Sequence, residues 1–322
     1  MKPIATSAPT RTNVQRRSIG TVAKVYLATF VLFVLSFLIQ PNYLSWDHVM
    51  QTLVFASFLG IIAIGQTLVI LTGGIDLSVA YVLNLGSVML TQLTPQIGGV
   101  GAAVVVCLTG IIIGLLNGVG VAWLGIAPLI MTLGMNSIVQ GLTLVYTNGT
   151  PKGTVPNWIK YVGTGSVLDV KVSVIVWAIL AVVTIFILTR TTFGRKVYAV
   201  GNSWYTAYLS GIESKSVLTT VYAVSGLTAA IAGMVITGFL NMGYLGMGDA
   251  YQLPSIAAVV IGGTSILGGL GGYTGTVAGA IIIYVLQSIL TVIHIQDAGR
   301  DIIYGLVILL VLFMYGRERQ QV

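Results

Sequence analysis

Apolar runs of membrane-spanning length, cut apart by short polar, glycine or proline punctuation, dominate this chain. Between Val25 and Pro151 the only charged residues are Asp47 and Asp76, and between Ser216 and Gly299 only Asp249 and Asp297. A helix crossing a hydrocarbon core of ~30 Å at ~1.5 Å per residue needs ~20 largely apolar residues. Cutting at the punctuation predicts about ten spans, near residues 24–40, 50–71, 77–94, 98–122, 127–146, 171–189, 216–240, 251–267, 274–293 and 300–315. The expected fold class is therefore an all-α polytopic membrane protein.

Composition agrees with that pattern. The 322 residues are 56% hydrophobic and only 7% charged, against roughly 25% charged in soluble domains, which excludes a soluble globular chain. One cysteine, Cys107, excludes a disulfide scaffold. The net charge of +7 is informative by position: placing the N-terminus inside puts eleven basic residues on the tails and the loop 190–215. Four then lie outside: Lys152, Lys160, Lys171 and Arg300. That asymmetry obeys the positive-inside rule and predicts both termini cytoplasmic. The first apolar stretch ends at Phe37 to Pro41 with no small-residue cleavage site, and reads as a retained helix. The domain organisation expected is a basic tail (1–23), one transmembrane domain (24–316) and a short cytoplasmic tail (317–322). Its longest inner and outer loops are 190–215 and 147–170.

A shift of about 170 residues lays Gly110–Asn117 on Ala280–Gln287 with Asn117 and Gln287 in register, and maps spans two to five onto spans seven to ten. Five spans separate the copies, so the repeat is inverted, as in many transport folds.

Asp76 follows Gly73-Gly74 between spans two and three. A carboxylate buried in a membrane is costly, so it has either a structural task, capping the start of span three, or a direct one in transport. Asp249 has the same capping reading on the outer side, with Gln252 at capping-box spacing. The run Gly262 to Gly272 has no following Lys-Ser/Thr and no preceding strand, which excludes a phosphate loop; such glycine density permits close helix approach or a broken helix. No Walker-type loop occurs anywhere, so any ATP and Mg would be used by another polypeptide. His48, His294 and Cys107 are scattered, so no catalytic or metal set is expected, and no cofactor held by this chain. No Lys/Glu pair or chain of acids of the kind ion-coupled carriers use lies inside the spans.

Neutral polar residues inside spans are Gln66, Asn84, Asn117, Asn136, Gln140 and Gln287. Each must bond to another helix or face water; Asn84, Asn117 and Gln287 are the candidates for a translocation path. In the loop 190–215, Val197 to Leu209 is too short and polar to cross but long enough for a surface helix exposing Trp204, Tyr205, Tyr208 and Leu209. Such a helix lies on the lipid interface or docks a partner.

Four motifs together resemble the permease subunit of ribose-type carbohydrate importers of the ATP-binding-cassette superfamily. They are Gly65-Gln-Thr-Leu-Val-Ile with Gly73-Gly-Ile-Asp-Leu-Ser78; Leu116-Asn-Gly118 with Ile126-Ala-Pro-Leu-Ile-Met-Thr-Leu-Gly134; Gly194-Arg195, Tyr198-Ala199, Gly201 and Leu209-Ser-Gly-Ile212; and Ala257 to Ser265 with Gly268-Gly269. The resemblance covers nearly all of residues 24–316. It implies a second permease copy or paralogue, two cytoplasmic ATPases, and an external solute-binding protein that delivers a monosaccharide, with no nucleic acid. It also implies that residues 194–212 seat in the ATPase, through Gly194, Arg195, Tyr198, Gly201, Trp204, Tyr205, Ala207, Leu209 and Gly211.

The chain departs from relatives in two places. Trp204 to Tyr208 replace a polar segment ending Ala-Ala-Arg, predicting a more aromatic ATPase contact, and Gln140-Gly141 stand where relatives commonly show Arg-Gly. The rival readings are a permease of the same architecture for branched-chain amino acids or nucleosides, an ion-coupled secondary carrier, and a membrane-embedded enzyme, since architecture alone does not fix cargo.

Overall fold

A computed structural model describes residues 22–34, 36, 45–292, 294–296, 298–300, 302–306 and 309. The basic N-terminal tail, the stretch Phe37 to Pro41 and the C-terminal tail lie outside the described residues. The helices are α1 (Val22–Val34), α2 (Trp46–Leu71), α3 (Val79–Ala122), α4 (Pro128–Thr147), α5 (Asn157–Thr164), α6 (Val172–Arg190), α7 (Thr192–Asn202), α8 (Trp204–Leu209), α9 (Ser214–Leu240), α10 (Asp249–Ile261) and α11 (Tyr273–Val292), with further helical residues at 298–300 and 302–306. Among the described residues α2, α3, α4, α6, α9 and α11 are long and apolar enough to cross a membrane, and α1 and α10 are shorter apolar helices. The one sheet described is a two-residue hairpin, β1 (Ser166–Val167) with β2 (Val170–Lys171), whose turn residues Leu168 and Asp169 both take positive φ.

The 44 residues of α3 are two helical arms joined by a kink at Gly98, which has φ 77 and ψ 158. Asn117 Nδ2 donates to Ser78 Oγ at 2.8 Å. Thirty-nine residues of straight helix would hold these two about 58 Å apart, so the chain doubles back at Gly98. The expected boundary between spans three and four falls there, and glycine supplies the φ that the reversal needs. The expected span 251–267 is shorter in the structure: α10 ends at Ile261, before Gly263 at φ 85 and a non-helical run to Gly272.

Two helices are wrapped on nearly all sides. α2 is buried from Ser57 to Leu71 without interruption, and α9 is buried over most of its length; a helix apolar all round belongs in the core. α9 packs along both arms of α3, while α2 packs on α10 and α11. Glycines set the first crossing: Gly110, Gly114 and Gly118 of α3 lie against the backbone of Gly226, Tyr222 and Thr219 of α9, where any Cβ would meet main chain. At the second, Gly275 and Gly279 of α11 face the backbone of Gly262 and Ala258, and Thr67 and Thr276 hydroxyls pair at 3.0 Å between α2 and α11. Trp177 of α6 donates to Tyr273 OH at 2.9 Å, and Tyr273 donates to Gly60 O at 2.7 Å, tying α6, α11 and α2.

Candidate functional site

The backbone leaves the helical state at Leu71 and regains it at Val79, and Asp76 lies in between. Its side chain is buried; Oδ1 accepts from Ser78 N at 2.9 Å and Ser78 Oγ at 2.6 Å, and Oδ2 accepts from Ser225 Oγ of α9 at 2.7 Å. Ser225 stands about midway along α9, so the break sits deep in the bundle. Irregular backbone at such depth survives only where protein or a cavity satisfies it. Ser78, not Asp76, occupies the N-cap of α3, and it makes no side-chain cap bond. Asp76 therefore secures the entry to the helix one step upstream, by holding Ser78 and tying the break to α9. Beside it are buried polar atoms without a hydrogen-bond partner, Asn117 Oδ1 and the Tyr222 hydroxyl; both amide atoms of Gln66 on α2 are likewise unpaired.

A second break answers the first. The loop from Asn241 to Gly248 descends along α3, with Met247 N donating to Asn84 Oδ1 at 3.3 Å and Gly248 lying against the backbone of Ala80. α10 thus begins at the level where α3 begins. α3 runs from there toward Thr91, whose carbonyl accepts from Thr154 N at 3.0 Å in the loop before α5. α10 runs the opposite way, toward Gly262 and α7. Two helix N-termini, each carrying the positive end of a macrodipole, meet mid-bundle. The capping box expected at Asp249 does not form: Gly248 holds the N-cap without a side-chain bond, and Gln252 Nε2 donates instead to Leu77 O in the break before α3 at 2.9 Å. Asp249 is exposed and lies near Tyr81, whose hydroxyl accepts from Gln140 Nε2 at 2.7 Å.

At one end of the bundle α7 lies under both irregular segments. Thr191 caps it by accepting from Gly194 N at 3.3 Å, and Gly194 allows the tight turn off α6 because a Cβ would strike the Ile187 and Leu188 carbonyls. Gly201 packs on the Leu71 carbonyl, the same oxygen that accepts from Gly269 N at 2.9 Å. Tyr198 OH donates to Gly271 O at 2.9 Å, and burial pushes its phenol above the ordinary value, keeping it a neutral donor. The surface helix expected over Val197 to Leu209 is two helices: Ser203 breaks it with φ −163 and caps α8 by accepting from Thr206 N at 3.2 Å. α8 closes with Gly211 at φ 79 and Ile212 N donating to Ala207 O at 3.0 Å, a Schellman ending. Trp204 and Tyr208 stack with centroids 5.9 Å apart; Tyr205 and Leu209 are 65% and 67% exposed.

The residues named from sequence for docking therefore divide. Arg195, Trp204, Tyr205 and Leu209 face outward, whereas Gly194, Tyr198, Gly201 and Ala207 face their own chain. The path candidates do not meet. Asn84 and Asn117 are fully buried and bonded within the subunit, while Gln287 lines a separate cleft of about 620 Å³ with Asp47, His48, Gln51 and Ser288, between the start of α2 and the end of α11. Sequence reading passed over Tyr81, Ser225 and the backbone of Leu71 and Gly271, since a tyrosine or serine in an apolar span carries no signal of its partner.

A polytopic helical protein with two opposed helix breaks at its centre has the architecture of a transport protein. Residues 48–312 match the family model described as branched-chain amino acid transport system / permease component. The ribose import permease protein RbsC of Haemophilus influenzae is 36% identical over 289 residues, covering 88% of this chain and 90% of that protein. RbsC of Bacillus subtilis is 35% identical, covering 90% and 91%. The autoinducer 2 import system permease protein LsrC of Escherichia coli O157:H7 is 33% identical, covering 91% and 86%. No solved structure matches significantly. The chain belongs to this family of transport-system permease components.

Proposed function

We propose that this chain is the membrane permease subunit of an ATP-driven importer and that it carries a monosaccharide delivered by a solute-binding protein across the inner membrane. The observation that carries the reading is the attachment of α7 and α8. Their inner side grips Leu71 at the end of α2 and Gly271 in the loop before α11, and their outer side presents the Trp204 and Tyr208 stack with Tyr205 and Leu209. A surface built this way transmits a push on α8 into both irregular segments. On this reading α7 and α8 seat in a separate ATPase that uses ATP and Mg, both termini lie on the ATPase side, and the loop 147–170 with α5 receives the binding protein. A second permease copy or paralogue completes the path.

The same reading takes the helices as ten crossings in an inverted repeat of spans two to five and seven to ten. The reversal at Gly98 supports it. So does the exchange of partners, with α2 of the first half on α10 and α11, and α9 of the second half on α3. The relatives at 33–36% identity are named for ribose and autoinducer 2, which favours a sugar over the branched-chain amino acids in the family model's description. The test is to reconstitute the permease with its ATPase and binding protein and compare wild type with Tyr205→Ala/Leu209→Ala. The expected result is ATP-dependent sugar uptake in the first and loss of ATPase co-purification in the second, with the permease still folded. Uptake undiminished by the double variant sinks the docking assignment.

A further inference from the structure

The face where α3, α4 and α10 come together is explained neither by packing nor by docking of α8. Gln140 Nε2 donates to Tyr81 OH at 2.7 Å, Asp249 lies close enough to Tyr81 to interact with its hydroxyl electrostatically, and Gln140 and Asp249 are exposed. α3, α4 and α10 contain no lysine or arginine, so this carboxylate has only neutral partners on its own and neighbouring helices. It sits at the level of the two helix breaks, well inside the length of the spanning helices. A carboxylate facing lipid at mid-depth is strongly disfavoured, and intramembrane acids face the bundle interior or a water-filled cavity. α4 shows the same one-sidedness. Thr132, Met135, Val139, Thr143 and Thr147 form its buried stripe, while Ser137 is exposed beside Gln140, and side chains added at Gly134 or Gly141 would meet nothing within 4 Å.

Resting on the importer reading above, we propose that Tyr81, Gln140 and Asp249 line the translocation path and contact the hydroxyls of the passing sugar, setting specificity. The chemistry fits a neutral polyol. The carboxylate has lone pairs free to accept from hydroxyls, the Gln140 amide both donates and accepts, and α3, α4 and α10 offer no lysine or arginine to hold the carboxylate of an amino acid. The Tyr81 hydroxyl is held by Gln140 with the Asp249 carboxylate close by, so the three groups are gathered before the ligand arrives.

Two measurements test this in the reconstituted complex. Ser137→Cys in a Cys107→Ser background is expected to react with a membrane-impermeant thiol reagent, more slowly when sugar is supplied during turnover. Asp249→Asn and Gln140→Ala are expected to leave the complex assembled, lower sugar uptake by on the order of tenfold, and reorder competition among pentoses, hexoses and inositol. Reaction of the thiol only with a lipid-dissolved reagent overturns the proposal, as does wild-type uptake and selectivity in both variants. Failure of the wild-type complex to take up sugar at all overturns the importer reading and the sugar assignment together, and the thiol arm then separately reports whether this face meets water.

Discussion

Ser225 in the middle of α9 donates its hydroxyl to Asp76 at 2.7 Å across 149 residues of sequence, so the one acid in the break between α2 and α3 is held by the core helix α9. Breaking this tie tests whether Asp76 is structural. Asp76→Ala leaves the Ser78 and Ser225 hydroxyls without their acceptor and is expected to destabilise the detergent-solubilised protein by about 2–5 kcal/mol. Asp76→Asn, which keeps a carbonyl acceptor, is expected to cost less. Thermal unfolding followed by tryptophan fluorescence reads the order; equal stability of all three proteins would show that the tie carries no load.

The α3 and α9 crossing depends on the absence of side chains. Gly114→Ala drives a methyl into the Tyr222 carbonyl, and is expected to cost about 1–3 kcal/mol through overpacking. Gly134→Ala on α4 meets open space and is expected to fall within about 0.5 kcal/mol of wild type. Comparison of the two unfolding midpoints checks the contrast, since helix propensity alone would stabilise both.

Gln66 is fully buried in α2 with neither amide atom paired. Gln66→Leu removes an unsatisfied polar group at nearly constant size and is expected to be neutral or to stabilise by up to about 2 kcal/mol. A fall in unfolding midpoint would reveal a polar task for this amide.

Tyr198 and Gly201 link α7 to the irregular segments without forming its outer surface. Gly201→Val pushes a side chain against the Leu71 carbonyl and is expected to leave the ATPase bound while lowering uptake per ATP hydrolysed. Tyr198→Phe, losing one hydrogen bond worth about 1 kcal/mol, is expected to do the same more weakly. Co-purification together with the ratio of sugar transported to phosphate released separates this outcome from simple loss of docking.

Much of the architecture was legible in the chain. The six long apolar helices follow from hydropathy, because each crossing must bury its own backbone polar groups in helix and must be apolar throughout. The outward aromatic set Trp204, Tyr205, Tyr208 and Leu209 was legible too, since a helix too short and polar to cross lies at a surface. The capping box at Asp249 failed for a specific reason. Correct residue spacing cannot show that Gln252 has a better acceptor in Leu77 O, which belongs to the break before α3 and reaches it only by tertiary packing. Likewise the amides in register, Asn117 and Gln287, read as a pair, yet one is buried at the break and the other lines a cleft at the end of α11.

The amino-acid order by itself determined that the chain is an all-α polytopic membrane protein and which short helical segment is too polar to cross, because these depend on the solvent that each segment must satisfy. Which face of a crossing is covered was decided only in three dimensions. In water an amphipathic stripe marks the buried side of a helix, but lipid is as apolar as a protein core, so α4 reads as apolar on its bare side and its packed side alike. The meeting of Tyr81, Gln140 and Asp249 from three helices is therefore a product of the reversal at Gly98 and of the two breaks that bring α3 and α10 to a common level.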